Sequence, residues 1–152
     1  MVDFVSTGDD FSGFSDPGRG AEMAAGMYAS GVDIIFAAAG LTGNGIIRAA
    51  KQAGKYVIGV DADQDHMAKG HVLTSMMKRL DRAAFLEVTR IVQGEFRPGI
   101  TYYSLSNGGV SLSPMKYTHH LIPDAVHEAL KATESDIIAG KIKVTDVLEK
   151  RK

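Results

Sequence analysis

Cysteine is absent from the chain, which removes disulfides, thiolate metal ligands and a cysteine nucleophile together, while leaving the redox compartment open. A basic field is absent too. The formal net charge is −1 and the pI about 6.5, so nothing draws in the phosphates of nucleic acid or an anionic membrane, and no nucleic-acid partner is expected. Long apolar runs are also lacking: residues 34–39, among the longest, fall far short of the ~20 that span a bilayer. Met1 leads straight into polar sequence, so neither a membrane span nor an export signal is expected in the chain as it stands. No internal repeat, low-complexity tract or dividing linker is visible. What is present, 152 residues of which 45% are hydrophobic and 23% charged, is the balance of one globular domain with an ordinary core.

Apolar runs alternate with helical periods along the chain. Residues 2–6 suit a short strand, followed by a loop rich in Gly, Asp and Ser. Asp16 is placed to cap a helix that opens at Pro17, and Ala21, Ala24, Ala25 and Tyr28 mark one face of it before Ser30-Gly31 ends it. Residues 32–39 form an apolar run around a single Asp, the pattern of a strand buried on both faces. A helix follows from about Gly43 to Ala53 with a stop at Gly54, and then the strand-like "YVIGV". Two strand–helix–strand units in succession predict an α/β fold with a doubly wound parallel sheet. Beyond Asp61, "HVLTSMMKR" suits a strand. Leu80, Ala83, Ala84, Glu87, Val88, Ile91 and Val92 make a helical stripe, "ITYYSL" and "VSLSP" read as extended, and Pro123 opens a last helix ending near Gly140.

The stretch "FAAAGLTGNGIIRAAKQAGKYVIGVDADQ" outlines a dinucleotide-binding unit, with Asp61 21 positions after Gly40. Its glycines, however, are spaced G-x-x-G-x-G, and Leu41 and Thr42 stand where backbone must approach a pyrophosphate. Two other readings remain open: glycines that only permit a tight strand-to-helix turn, and a cleft at the strand's carboxyl end where Gly40 and Thr42 touch a non-phosphorylated ligand. Asp61, Asp63 and Asp65 alternate as in a calcium loop, but the sixth and twelfth places hold His66 and Val72 rather than Gly and Glu. Asp61 could instead accept hydrogen bonds from vicinal hydroxyls. The five histidines form no zinc spacing and no G-x-S-x-G elbow occurs, so no metal, cofactor or hydrolytic centre is expected. Phe11 and Phe14, aromatic rings in a polar loop, either plug the edge of a core or stack on a flat ligand.

In order, "SGFSDPGRGAEMAAGMYASGVDIIFAAAGLTGNGIIRAAKQAGKYVIGVDADQ", "VLTSMMKR", "GGVSLSP" and "IIAGKIKV" resemble the basic membrane protein family of substrate-binding lipoproteins. These are purine-nucleoside-binding components of ABC importers with the type I periplasmic-binding-protein fold. The resemblance implies a non-enzymatic binding module working outside the cytoplasm, with a purine nucleoside (adenosine, guanosine or inosine) and an ABC permease as partners. It places Phe14 and Asp16 of "GFSDP" at the cleft, Phe14 to stack on the base. It also implies that Gly40 offers backbone to the ligand, and that Asp61 and Lys78 hold the ribose. Ser15 and Leu41 stand where the family has Asn and Gly, which bears on fine specificity.

Members of that family are about twice as long, with two lobes. The resemblance implies that this chain corresponds to an incomplete carboxyl-terminal lobe, with residues 72–98 packing on an absent amino-terminal lobe. The strand at residues 2–6 would then lack its central neighbour, so a fragment of a larger product, or strand recruitment from a second copy, is expected. From other classes, a nucleotide-dependent enzyme domain using the Gly40 turn and a ligand-free interaction domain of the same fold remain alternatives.

Overall fold

The computed structural model describes residues 1–6 and 11–145. Of the expected polar loop, residues 7–10 lie outside the described residues. Helix α1 (Pro17–Ala29) begins where the sequence places it: the Asp16 carboxylate accepts the Arg19 backbone N–H at 2.9 Å, Pro17 fills the first turn, and Gly31 at φ +98° closes the end. Helix α2 (Gly43–Ala53) stops at Gly54. That residue takes φ +63° and lets the Lys55 N–H reach back to the Ala50 carbonyl at 2.9 Å.

Strands β1 (Ile34–Phe36), β2 (Tyr56–Asp61), β3 (Val72–Lys78) and β4 (Val110–Leu112) form one sheet in the order β1-β2-β3-β4. The first three are parallel and β4 is antiparallel to β3. Ala24 and Tyr28 of α1 and Ile46, Ile47, Ala49 and Ala50 of α2 cover one sheet face, against Ile35, Val57 and Val72. Complete burial of Ile47, Val57 and Val72 contributes ~1.5–3 kcal/mol each. The two helices approach closely at Gly45, where a Cβ would collide with the Pro17 carbonyl oxygen. The Tyr28 hydroxyl, nearly buried, donates to the Tyr56 carbonyl at 2.8 Å and ties α1 to β2. Its burial pushes the phenol up to about 12.

Helices α3 (Leu80–Val92) and α4 (Asp124–Ile138) follow, and neither has a buried residue. Leu80, Phe85, Val88, Ile91 and Val92 of α3 are more than half exposed.

Three expectations are corrected. Residues 2–6 form no strand. Residues 2–5 line an apolar groove of about 420 Å³ together with Met23, Met27, Ile34 and Phe36, beside the edge strand β1 but without pairing to it. Residues 100–105 likewise form no strand: the described sheet ends at β4, and the Ser104 carbonyl accepts the Gly109 N–H at 2.8 Å in a turn rather than a ladder. Instead the Tyr103 hydroxyl donates to Glu87 at 2.5 Å, which lowers the carboxyl's pKa and raises that of the phenol. Finally, β1 is buried on one face only. Ile35 faces the helices while Ile34 and Phe36 are about half exposed, because α1 and α2 share a side and no described element covers the other.

Candidate ligand-binding site

Parallel pairing carries the chemistry to one edge. Phe36 stands opposite Ile58 and Asp61 opposite Met77, so the turn after β1, the end of β2 and the end of β3 all meet at the sheet's carboxyl edge. The antiparallel β4 brings its leading residue to the same place: Val110 pairs with Lys78, and the Arg79 N–H donates to the Gly109 carbonyl at 2.9 Å. Crevices at this edge are where open α/β sheets bind ligands.

Asp61 and Lys78 meet there. Lys78 Nζ is 2.7 Å from Asp61 Oδ1, and both side chains remain about half exposed. Such a wet pair stabilises the fold by only ~0–1 kcal/mol. Asp61 is also backbone-strained. Its φ is +69°, and the Ala62 N–H bonds the Val60 carbonyl at 2.8 Å, closing a three-residue γ-turn of the rare positive-φ kind around Asp61. For a residue with a Cβ that geometry costs roughly 1–3 kcal/mol, a cost the surface ion pair does not recover.

Phe14 lies on the other side of the edge. Gly40, at φ +54°, lets the chain turn after β1, and a Cβ there would stand 3.1 Å from the Phe14 carbonyl oxygen and 3.3 Å from its Cβ. The Phe14 ring is half exposed and 6.4 Å from the ring of Phe11. It belongs to no core cluster. Asp16 and Thr42 are committed within the fold. The Thr42 hydroxyl, fully buried, accepts the Asp16 N–H at 2.9 Å and donates to the Gly13 carbonyl at 2.7 Å. Thr42 therefore does not face the edge as its place in the turn suggests; it ties the Phe14 loop to the start of α2. One Asp16 carboxylate oxygen is occupied as the α1 cap.

The remaining residues of "DADQD" diverge rather than converge. Asp63 Oδ1 accepts the Asp65 N–H at 3.0 Å. Gln64 Oε1 accepts the Val60 N–H at 3.0 Å, and Asp65 is 2% exposed. Among the described residues no three His, Cys, Asp or Glu side chains group to hold a metal ion. The sequence offers Asp65 only as one acid of a calcium-like alternation and gives Gln64 no role. The available signal was Gly59, a glycine inside a strand, which marks a close approach: a Cβ there would strike Gln64 Oε1 and lie 2.8 Å from Ser75 Oγ. The grooves at residues 1–5 and 94–102 are lined by none of Phe14, Gly40, Asp61 or Lys78, so these residues form an open wall.

An α/β sheet with an open, polar carboxyl edge of this build is part of a lobe of the periplasmic-binding-protein type. A solved ABC transporter solute-binding protein from Aeropyrum pernix K1 superposes with a TM-score of 0.76 at 27% identity, over 88% of this chain and 46% of that one. The family model described as "ABC transporter substrate-binding protein PnrA-like" matches residues 7–147, and the chain belongs to that family, called Bmp. Basic membrane protein D of Borreliella burgdorferi is 38% identical over 135 residues, which are 86% of this chain and 39% of that protein. The ABC transporter nucleoside-binding protein BmpA of Lactococcus lactis subsp. cremoris is 37% identical over 149 residues, 86% of this chain and 41% of that protein. The chain thus spans less than half the length of these relatives. The family is one of substrate-binding proteins rather than enzymes, working outside the cytoplasm. No helix among the described residues is long and apolar enough to cross a membrane.

Proposed function

We propose that this chain is the carboxyl-terminal ligand-binding lobe of an ABC importer's substrate-binding protein and that its ligand is a purine nucleoside. The observation that carries the reading is the Asp61–Lys78 pair at the carboxyl edge, half exposed and built on a strained backbone that the fold itself does not need. A carboxylate presents two oxygens to two vicinal hydroxyls, and an ammonium beside it donates to the same sugar. Phe14, half exposed beside Gly40, offers a ring face for a purine. Asp16 and Thr42 hold the loop that carries it. The nucleoside-binding relative supports the ligand class.

In this reading the edge is one wall of a cleft, the other wall coming from an amino-terminal lobe on which residues 72–98 pack, and the permease of the importer receives the loaded protein. Calorimetric titration with adenosine, guanosine, inosine and NAD tests it. Nucleosides should compete for one site, with NAD gaining nothing from its second half. Binding of NAD alone would favour a nucleotide-dependent enzyme domain, and no response to any of the four, in any assembly of the chain, would overturn the reading.

A further inference from the structure

Asp61 does not hold its turn alone. Gln64 folds back over Gly59, and its Oε1 takes the N–H of Val60, the residue whose carbonyl closes the γ-turn. The Gln64 N–H donates to Ser75 Oγ at 3.1 Å. Ser75 Oγ donates onward to Asp65 Oδ1 at 3.4 Å, and Ser113 Oγ reaches the same oxygen at 2.7 Å. The Lys116 N–H takes Asp65 Oδ2 at 3.3 Å, and Ser113 Oγ in turn accepts the Ser75 N–H at 2.8 Å.

Asp65 is thus a carboxylate at 2% exposure held by two hydroxyls and one N–H, with no ion pair among the described residues. Burying such a group among neutral donors is costly, and the bond from Ser113 Oγ at 2.7 Å is the short, strong one, those from Ser75 Oγ and the Lys116 N–H being longer. The rigidity is spent on the connection 62–71, which joins two parallel strands without the helix such crossovers usually carry.

We infer that Gln64, anchored through the buried Asp65–Ser75–Ser113 cluster, is a positioning residue that holds Asp61 in its left-handed turn and so sets the carboxylate toward Lys78 and the ligand. The ligand part of this inference rests on the nucleoside reading above; the geometric part does not. The cluster reaches from β2 through β3 to the segment after β4, so side chains remote in sequence fix one φ angle at the edge. Stapling the strands alone would not require the Gln64 amide to contact the residue before Asp61.

The test is made on the intact chain by NMR, reading two signals without any ligand: the positive-φ signature of Asp61 in its intraresidue amide–Hα coupling and NOE, and hydrogen exchange at Ala62. In Gln64→Ala the Asp61 signature should be lost and Ala62 exchange should speed by roughly tenfold, the weight of one hydrogen bond, with the helical spectrum retained. Gln64→Glu keeps an acceptor oxygen and should restore both signals. Ser113→Ala, which takes one donor from Asp65 and the acceptor of the Ser75 N–H without touching the loop, should give the same change more weakly and serves if Gln64→Ala does not fold. An unchanged Asp61 signature in Gln64→Ala, or in Ser113→Ala where that variant must stand in, overturns the inference. Titration of the same variants with adenosine separates the two readings. Lost geometry with at least tenfold weaker adenosine binding supports both, whereas lost geometry in a chain whose parent binds no nucleoside either alone or with an added amino-terminal lobe leaves the positioning role standing and removes the ligand.

Discussion

Lys78 Nζ sits 2.7 Å from Asp61 Oδ1, joining the ends of two adjacent parallel strands at a residue whose φ is +69°. Asn tolerates left-handed backbone better than most residues, so Asp61→Asn should fold with stability changed by less than ~1 kcal/mol. If the pair grips a ribose, nucleoside affinity should fall by ~1.5–3 kcal/mol, the range for a hydrogen bond to a charged group. Ligand-detected NMR or calorimetry measures this. Undiminished affinity would remove Asp61 from the site.

Phe14 offers a separate test, because its ring is half exposed and outside the core. Stacking contributes roughly 1–3 kcal/mol per base by alanine substitution, so Phe14→Ala should weaken nucleoside binding by that much and Phe14→Tyr far less. Thermal unfolding of both variants should stay close to the parent. A large drop in melting temperature with binding spared would return Phe14 to a packing role.

Much of the fold could be read from short-range chemistry. Asp16 and Pro17 start α1 and Gly54 stops α2 as their types dictate, because caps and positive-φ turns are settled within a few residues. The misreadings concern partners. Residues 2–6 and 100–105 have strand composition, but a strand exists only where its backbone pairs into a ladder, and neither segment pairs into the described sheet. The apolar run 32–39 has the composition of a doubly buried strand, but composition reports what a residue tolerates, while coverage depends on which faces α1 and α2 take. In the site, the meeting of Asp61 with Lys78 came from resemblance rather than spacing, since the register that joins them is a tertiary fact. Thr42 shows the converse: its place in the turn is legible, but its complete burial is not.

Two glycines in the helical layer should respond in opposite directions. Gly26 in α1 has open space where a Cβ would go, so Gly26→Ala should stabilise by about 0.5–1 kcal/mol through backbone entropy alone. Gly45 gains the same propensity term, but its Cβ would meet the Pro17 carbonyl and force α1 and α2 apart, with overpacking costing ~1–3 kcal/mol. Urea unfolding should therefore show Gly26→Ala above the parent and Gly45→Ala below it. Equal stability of the two variants would mean that the helices are not in close contact at Gly45.

Tyr28 makes stability fall at high pH. Its phenol is raised to about 12 in the folded state, above the ~10 of an exposed tyrosine, so the folded chain keeps a proton that the unfolded chain releases. The contribution is fully present below about pH 10 and is lost as pH climbs toward about 12, amounting to on the order of 2 kcal/mol. In Tyr28→Phe the bond to the Tyr56 carbonyl disappears, lowering stability near neutrality by ~1 kcal/mol, and the alkaline slope should flatten. The readout is the difference between parent and variant in denaturant midpoints across that range, which cancels the other titrating groups. Parallel pH profiles would show that the Tyr28 hydroxyl ionises freely.

The last prediction concerns association. Leu80, Phe85, Val88, Ile91 and Val92 project from α3 into solvent, and Phe96, Ile100 and Tyr102 extend the apolar surface beyond it. On the opposite flank β1 has a partner on one side only among the described residues, beside a groove lined by Met23, Met27, Ile34 and Phe36. Exposed apolar area of this extent and an open parallel edge both favour pairing with another polypeptide. The chain should therefore self-associate, or bind a polypeptide that supplies the second lobe, and it should bind nucleosides weakly by itself because only one wall of the cleft is present. Sedimentation at increasing concentration should give a rising weight-average mass. Adding a polypeptide corresponding to the amino-terminal lobe of a full-length relative should replace self-association with a one-to-one complex and strengthen nucleoside binding. A compact monomer at all concentrations that binds adenosine or guanosine at micromolar affinity would mean that these surfaces are self-sufficient and that the edge at Asp61 and Lys78 is a complete site.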